Sequence, residues 1–125
     1  MSTADLRPLR ILVVDDHEDS AHALAAVLRR RGHDVFTASG FVDALDVAAG
    51  LTTIDLLVSD ITLPDGSGCD LLPVLRARRA GGVGAAIAVT GHAEPEWLDR
   101  CRRSGYGHIL VKPVPFDTLL CAIET

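Results

Sequence analysis

Aromatic side chains and cysteines are scarce in this chain of 125 residues. Aromatic residues make up 4% of the sequence, so a hydrophobic core must be built from Val, Leu, Ile and Ala. The three cysteines, Cys69, Cys101 and Cys121, are an odd number and lack CxxC spacing. Because disulfide frameworks and zinc sites need paired spacings, we interpret all three as free thiols.

Long apolar runs and an excess of positive charge are also missing. No run approaches the roughly 18 residues that cross a bilayer, and Met1 to Arg10 lacks the apolar stretch of a signal peptide. We therefore expect a cytoplasmic protein that does not contact membranes. A net charge of -5 disfavours nucleic-acid binding. Each basic cluster closes a helical pattern, where cations complement the helix dipole: Arg29 to Arg31, Arg76 to Arg79, and Arg100 to Arg103.

What the sequence does contain is the composition of one soluble globular domain. Hydrophobic residues make up 48% and charged residues 23% of the chain, which is typical of such domains. The length fits one domain, and no repeat or linker interrupts it. We predict a single domain over residues 1–125, with a folded core from about residue 9 to residue 125 and a flexible segment 1–8.

Short β-branched apolar runs alternate with longer segments whose apolar residues recur every three or four positions. This alternation is typical of βαβ units. The predicted strands are Arg10 to Val14, Asp34 to Thr37, Ile54 to Ser59, Ala85 to Thr90, and Gly107 to Val111. The predicted helices are Glu18 to Arg31, Phe41 to Ala49, Cys69 to Arg79, Glu94 to Arg103, and Phe116 to Glu124.

Glycine and proline mark several helix boundaries. Gly32 and Gly50 follow the first and second helices, where a left-handed C-cap is wanted. Pro95 and Pro115 fit the first turns of the fourth and fifth helices. Pro73 falls inside the third helical pattern, where it forfeits a backbone hydrogen bond, so we expect a late helix start or a kink there.

Five βα pairs with short connections imply right-handed crossovers and an open, doubly wound α/β fold. We predict a flavodoxin-like, five-stranded parallel sheet in the order 2-1-3-4-5, with helices on both faces. In such sheets the ligand lies at the carboxyl ends of the strands. The sequence therefore directs attention to the residues that follow each strand.

Five chemically active side chains lie at strand ends: Thr90 is the last residue of the fourth strand, and the other four follow strands, namely Asp15, Asp16, Asp60 and Lys112. Three carboxylates at one edge repel each other unless a cation neutralises them. Mg²⁺ suits them because it takes hard oxygen ligands and few protein carboxylates. A lysine and a hydroxyl facing a carboxylate beside a metal form a cradle for phosphoryl oxygens. Asp60 is then the predicted nucleophile, forming an aspartyl phosphate.

Simpler interpretations of these residues explain less of the pattern. Asp15 or Asp16 could cap the first helix, but one aspartate is enough for a cap. Asp60 could be a loop acid, yet an acid directly after a buried strand needs a partner. Two further sets carry no predicted chemistry: His17, His22, His33 and His108 lack metal spacing and are interpreted as surface or packing residues, and Gly66 to Gly68 is a loop without a nucleotide-binding pattern.

The chain resembles a receiver domain of the two-component response-regulator superfamily over essentially its whole length. Four segments carry the resemblance, in the family's order and on the expected strand ends. They are Ile11-Leu12-Val13-Val14-Asp15-Asp16, Asp60-Ile61-Thr62-Leu63-Pro64-Asp65-Gly66-Ser67-Gly68, Ala88-Val89-Thr90-Gly91 and Leu110-Val111-Lys112-Pro113. Any one of them alone is a weak signal.

The resemblance implies a role for each matching residue. Asp60 is the phosphoacceptor, and Asp15 and Asp16 hold Mg²⁺ directly or through water, with the backbone carbonyl of Thr62 completing the metal site. Thr90 and Lys112 bind the phosphoryl oxygens, and Lys112-Pro113 is a cis peptide. The implied phosphoryl donor is a sensor histidine kinase or a histidine phosphotransfer domain, and phosphorylation switches the surface of the fourth and fifth βα units.

Two features of this chain bear on how a signal leaves the domain. The family residue three positions before the lysine is commonly an aromatic that changes rotamer with phosphorylation, and here it is Ile109. Tyr106 is out of register with that position and is interpreted as a packing or surface residue. Thr62 and His92 each lie two residues past a site residue, where the family tunes water access, so we expect them to help set the phosphoryl lifetime.

Alternative functions remain open from the sequence alone. Within the family, the chain is either a relay receiver of the kind attached to hybrid histidine kinases or a free-standing regulator that binds an effector protein. As an isolated domain it is expected to catalyse only its own phosphorylation and dephosphorylation. A metal-dependent phosphohydrolase usually needs a second acid two residues past the nucleophile, where this chain has Thr62. A pseudo-receiver that only binds partners is the third possibility.

Overall fold

The computed structural model describes residues 8–78 and 82–124. Seven strands are present in these ranges: β1 (Arg10–Val14), β2 (Asp34–Ala38), β3 (Leu56–Asp60), β4 (Thr62–Leu63), β5 (Gly66–Ser67), β6 (Ala85–Thr90) and β7 (His108–Val111). The helices are α1 (Glu18–Arg30), α2 (Phe41–Ala49), α3 (Gly68–Arg78), α4 (Pro95–Ser104) and α5 (Phe116–Glu124). Two predictions fall on residues outside the described ranges. They are the flexible segment 1–8, of which only residue 8 is described, and the end of the third helix at Arg79.

The main sheet has the order β2-β1-β3-β6-β7, and all four strand pairs are parallel. Since β6 and β7 are the fourth and fifth predicted strands, the predicted strand order is confirmed. The register aligns the carboxyl ends, with Val14 opposite Ser59 and Thr90 opposite Val111. Residues that follow these strands therefore share one edge of the sheet.

Helices cover both faces of the sheet, as predicted. Alternate residues of β1 point to opposite faces: Leu12 and Val14 join the apolar cluster that includes residues of α2, α3 and α4, whereas Ile11 and Val13 join the cluster that includes residues of α1 and α5. All five residues of β3 are buried. Within the described ranges, no helix has the length and apolar character that a membrane span requires.

The free-thiol interpretation of the cysteines is confirmed for this structure. Cys69 on α3 and Cys101 on α4 are both buried, with their Sγ atoms 3.5 Å apart, and Cys121 is exposed. Burial, together with the neighbouring Cys69 thiol, raises the pKa of Cys101 to about 12. A thiol with such a pKa stays protonated and unreactive at neutral pH.

A short antiparallel hairpin, β4 with β5, follows Asp60 and was not predicted. Its turn contains Asp65, whose carboxylate accepts the backbone N–H groups of Phe41 at 2.6 Å and Val42 at 3.0 Å. The N–H groups of Val42 and Phe41 lower the pKa of Asp65. Asp65 therefore caps α2 from 24 residues away, because the N-cap residue of that helix, Gly40, has no side chain to do so.

The late start offered for the third helix is not found, and the alternative, a kink at Pro73, stays a prediction. α3 begins at Gly68, one residue before Cys69, because the hydroxyl of Ser67 accepts the N–H of Cys69 at 3.1 Å and fixes the first turn. Pro73 is consequently the sixth residue of α3. Its missing N–H leaves the Cys69 carbonyl without its usual helical partner.

The predicted helix ends are partly correct. Gly32 has a φ of +93° after α1, as predicted, whereas Gly50 has a φ of -87° and is not left-handed. That second prediction is wrong because the last turn of α2 closes in an ordinary right-handed conformation. Pro95 is the first residue of α4, as predicted, but Pro115 precedes α5 and its carbonyl accepts the N–H of Leu119.

Candidate functional site

Three carboxylates from two neighbouring strands meet at the carboxyl edge of the sheet. Asp15 and Asp16 follow β1, and Asp60 is the last residue of β3. One carboxylate oxygen from each of the three lies within 4.8 Å of the other two. Asp60 is only 6% exposed, whereas Asp15 is half-buried and Asp16 is exposed. The three acids predicted to share a site therefore do so.

Asp15 is fixed by its neighbours rather than used as a helix cap. Its N–H donates to the Ala38 carbonyl at 3.0 Å, and its Oδ1 accepts the N–H of His17 at 2.9 Å. The N-cap of α1 is His17, whose Nδ1 accepts the N–H of Ser20 at 3.2 Å. Asp15 and Asp16 are thus left for other chemistry. The sequence did not reveal this cap because histidine is not among the preferred N-cap residues.

The cluster has the electrostatic character of a cation site. Burial raises the pKa of Asp15, the N–H of His17 lowers it, and the charges of Asp60 and Asp16 raise it further, so that the net shift is upward. The upward shift persists although the charge of Lys112 lowers the pKa of Asp15, so the ionised form of this partly desolvated carboxylate would gain from a bound cation. Three carboxylate oxygens this close are a hard donor set that fits Mg²⁺.

Lys112 reaches the acidic cluster from the end of β7. Its Nζ lies 2.7 Å from Oδ2 of Asp60, and its backbone N–H donates to the Thr90 carbonyl at 2.7 Å. Partial burial disfavours its charge, but the hydrogen bond to Asp60 and the charges of Asp60, Asp15 and Asp16 outweigh this and raise the pKa of Lys112. The predicted cis peptide between Lys112 and Pro113 is confirmed.

Lys112 is the only lysine of the chain, beside eleven arginines. A lysine ammonium is a compact charge on a flexible stem, whereas an arginine guanidinium is a broad, rigid fork. A compact cation can turn from one oxygen to another within a small space. The single lysine therefore lies at the one position where this property matters for the predicted chemistry.

Both carboxylate oxygens of Asp60 have hydrogen-bond donors. Oδ2 accepts a hydrogen bond from the ammonium of Lys112, and Oδ1 accepts one from the backbone N–H of Thr62 at 3.3 Å. Behind it, the hydroxyl of Ser59 donates to the carbonyl oxygen of Asp60 at 2.8 Å. The side chain of Asp60 is thus oriented toward Asp15 and Asp16. The role predicted for the Thr62 carbonyl, as a metal ligand, stays a prediction.

Thr90 ends β6 at the same edge and is 1% exposed. Its Oγ1 accepts the backbone N–H of His92 at 3.0 Å. The imidazole of His92 stacks on the indole of Trp97, with ring centroids 5.0 Å apart and planes inclined by 20°. The sequence reasoning did not identify this contact, which joins the loop after Thr90 to α4.

The residues near the family's aromatic position occupy different environments. Ile109 is half-buried and packs against the cluster on the α3 and α4 side, and His108 is exposed. Tyr106 is 3% exposed. The interpretation of Tyr106 as a packing residue is confirmed, and its hydroxyl also donates to the carbonyl of Gly68 at 2.6 Å.

A cavity of about 700 Å³ opens beside the cluster. Asp15, Asp60 and Lys112 belong to its polar lining, and mostly apolar side chains of α1, α5, the sheet and the connection before α5 line the rest. Phe116, at the start of α5, contributes a ring that is 45% exposed. The acidic cluster therefore opens onto a partly apolar groove instead of being sealed from solvent.

The parallel sheet with an acid and lysine cluster at its carboxyl edge defines a receiver-type α/β domain. The response regulator receiver domain model matches residues 11–124, and the chain belongs to this family. It is a receiver domain of two-component signal transduction, a family in which phosphoryl acceptance is typical.

Among similar proteins, the sensory/regulatory protein RpfC of Xanthomonas campestris pv. campestris is 32% identical over 119 residues, which cover 94% of this chain. The sensor histidine kinase RcsC of Salmonella typhimurium is 38% identical over 111 residues, or 89% of the chain. The chain spans 16% and 11% of these two relatives' lengths. A CheY-like receiver domain from Methanospirillum hungatei JF-1 matches with a TM-score of 0.83 and 30% identity, covering 94% of this chain and 91% of that one.

Proposed function

We propose that Asp60 accepts a phosphoryl group from a phosphohistidine, so that this chain acts as the acceptor in a two-component phosphorelay. The observation that carries the proposal is the setting of the Asp60 carboxylate. It is nearly buried, it pairs with Lys112 at 2.7 Å, and it lies within 4.8 Å of two further acids. An acid in that setting is positioned as a nucleophile with charge-stabilising groups around it.

In the proposed transfer, a carboxylate oxygen of Asp60 attacks the phosphorus of the phosphohistidine. The new O–P bond forms as the P–N bond breaks. The electron pair of the broken bond stays on the imidazole nitrogen of the donor. Lys112 turns from the Asp60 oxygen to a phosphoryl oxygen. The Thr90 hydroxyl donates a hydrogen bond to a second phosphoryl oxygen. It is able to do so because Oγ1 accepts the N–H of His92, which leaves the hydroxyl proton available for donation.

The residues that would hold Mg²⁺ are Asp15, Asp16 and Asp60, with the backbone carbonyl of Thr62. When bound there, the ion would neutralise the clustered carboxylates and the phosphoryl oxygens. Asp15 is already oriented by the N–H of His17, and Asp60 by the N–H of Thr62. Little rearrangement of these two side chains is needed for them to act as ligands.

The proposed partner is a sensor histidine kinase or a histidine phosphotransfer domain in the cytoplasm. The groove between α1 and α5 supports this, because it places apolar side chains such as Phe116 next to Asp60, where a helical partner could present its histidine. The similarity to RpfC and RcsC favours a relay receiver over a free-standing regulator. A downstream effector protein is a further proposed partner. The chain itself would turn over no substrate other than its own phosphoryl group.

Incubation with acetyl phosphate and Mg²⁺ tests the acceptor. The expected result is a mass increase of one phosphoryl group that hydroxylamine removes, because hydroxylamine cleaves acyl phosphates. Asp60→Asn should abolish the increase, and Asp46→Asn, at an exposed position on α2, should leave it unchanged. Persistence of the signal in Asp60→Asn would overturn the assignment. Steady turnover of a generic phosphate ester would favour a phosphohydrolase instead.

A further inference from the structure

Tyr106 has a buried hydroxyl that the proposed transfer does not use. The residue follows α4 and precedes β7, is 3% exposed, and donates its hydroxyl proton to the carbonyl of Gly68 at 2.6 Å. Burial raises the pKa of Tyr106, so the hydroxyl keeps its proton and remains a donor at physiological pH. An interaction this short and this buried is a strong constraint on both groups.

Gly68 ends the segment that begins directly after the acceptor, residues 61–68, which we name the phosphoacceptor loop. The N–H of Gly68 donates to the Ile61 carbonyl at 2.8 Å, which closes the loop on itself. A Cβ on Gly68 would lie 2.3 Å from the carbonyl oxygen of Asp60. The backbone of Gly68 therefore packs directly on the backbone of Asp60, and one cannot shift without displacing the other.

The backbone at Tyr106 is held in place by hydrogen bonds. Its N–H donates to the Cys101 carbonyl at 3.3 Å, at the C-terminal end of α4, and Gly105 turns the chain there with a φ of +112°. The next residue, Gly107, donates its N–H to the Ala86 carbonyl of β6 at 3.0 Å. The Tyr106 backbone is thus fixed to both α4 and the sheet before its side chain reaches the loop.

We propose that Tyr106 is a positioning residue that holds the phosphoacceptor loop through Gly68 and ties it to the C-terminal end of α4. The hydroxyl fixes Gly68, Gly68 fixes the backbone of Asp60, and the closed loop fixes Thr62. These are the groups that the cation needs in place. The proposal rests on the proposed function, and it gives the loop a connection to α4 that does not pass through Ile109.

The test is the affinity for Mg²⁺, measured by titrating the amide resonances of residues 61–68 by NMR. Tyr106→Phe keeps the ring and removes only the hydroxyl, so the packing is preserved. Loss of one ordinary hydrogen bond from the loop should weaken Mg²⁺ binding by about two- to tenfold. The matched control is Val35→Ala, a buried truncation on the edge strand β2 in the opposite apolar cluster, which lowers stability without touching the loop.

Weaker Mg²⁺ binding in Tyr106→Phe, with wild-type affinity in Val35→Ala, is the expected result. Equal affinity in Tyr106→Phe and wild type would overturn the proposal, and so would an equal loss in both variants, which would reflect stability alone. The measurement needs no phosphodonor. A wild-type chain that binds Mg²⁺ but is never phosphorylated would overturn the proposed function and leave this comparison valid. A wild-type chain that binds no Mg²⁺ would overturn both.

Discussion

The ammonium of Lys112 lies 2.7 Å from Oδ2 of Asp60, across the carboxyl edge of the sheet from β7 to β3. The pair gives the nearly buried Asp60 a counter-charge before any phosphoryl group arrives. It also leaves Lys112, whose side chain is 43% exposed, free to follow an incoming group. The same lysine therefore neutralises Asp60 before phosphorylation and is in place to contact the phosphoryl group in the proposed transfer.

Replacing Lys112 with methionine should separate the two roles of this contact. The phosphorylation rate with acetyl phosphate should fall by about 100-fold, because a donor to the developing phosphoryl charge is lost. Mg²⁺ should bind more tightly, because the ammonium no longer repels it. Rapid-quench kinetics and Mg²⁺ titration measure the two effects. Lys112→Arg is the charge-matched control, and an unchanged rate in Lys112→Met would contradict the proposed role.

Gly68→Ala should destabilise the protein and disturb the site together. The new Cβ would lie 2.3 Å from the Asp60 carbonyl oxygen and 2.9 Å from the Cα of Ile61, both backbone atoms that cannot move aside cheaply. We expect a loss of about 1–3 kcal/mol in the free energy of unfolding, measured by urea denaturation. Gly50→Ala, where the nearest atom is 3.6 Å away, should cost nothing comparable. Equal stability of the two variants would contradict this packing.

Glu124→Gln should lower the free energy of unfolding at neutral pH but not in acid. Arg31 donates two hydrogen bonds to Glu124, at 2.7 and 2.5 Å, and lowers the pKa of Glu124; burial opposes this shift, and His33 at 3.2 Å adds to it. A carboxylate with a lowered pKa stabilises the fold above its ordinary value of 4.5. That stabilisation disappears as the pH falls through the folded-state pKa.

Thermal unfolding of wild type and Glu124→Gln at several pH values measures this difference. The melting temperature of the variant should be a few degrees lower at neutral pH, and the two curves should converge in acid. Asp46→Asn, at an exposed site on α2, serves as the carboxylate control. A difference in melting temperature that stays constant down to strongly acidic pH would show that the ion pair is not its source.

Thr62→Ala and His92→Ala should each shorten the lifetime of the phosphoryl group. Thr62 is exposed two residues past Asp60, and His92 donates its backbone N–H to Thr90 Oγ1 while its ring stacks on Trp97. Smaller side chains admit water more freely to the acyl phosphate, and we expect hydrolysis to accelerate by about threefold in each. Loss of phosphate from purified phosphoprotein provides the rate. Thr53→Ala, before the amino end of β3, is the control, and unchanged lifetimes in both variants would end the hypothesis.

Local patterns were sufficient for much of the fold. The bounds of β1, β6, α2 and α5 match their predictions because apolar runs and nearby polar or turn residues delimit them within a few positions. The strand order followed from the alternation of strands and helices. The hairpin β4 with β5 was missed, and Gly66 to Gly68 was interpreted as a loop, because two-residue strands leave no periodic signal.

For the candidate site too, some features were predicted from the sequence and others were not. Asp15, Asp16 and Asp60 were predicted to converge because acids after neighbouring parallel strands must share an edge. The capping of α1 by His17 and the hydrogen bond from Tyr106 to Gly68 were not predicted. The second joins residues 38 positions apart, and no pattern in either segment identifies its partner. Long-range contacts of single polar atoms are set by packing, which sequence periodicity does not describe.

The central claim is that the phosphoryl group resides on Asp60, and reductive trapping tests it most directly. Phosphorylated protein is treated with borohydride, which converts an acyl phosphate at an aspartate to homoserine, and the peptides are then mapped by mass spectrometry. Homoserine at position 60, dependent on Mg²⁺ and on the phosphodonor, is the predicted result. Homoserine at position 15 or 16, or a phosphorylated protein with aspartate intact at position 60, would contradict the account.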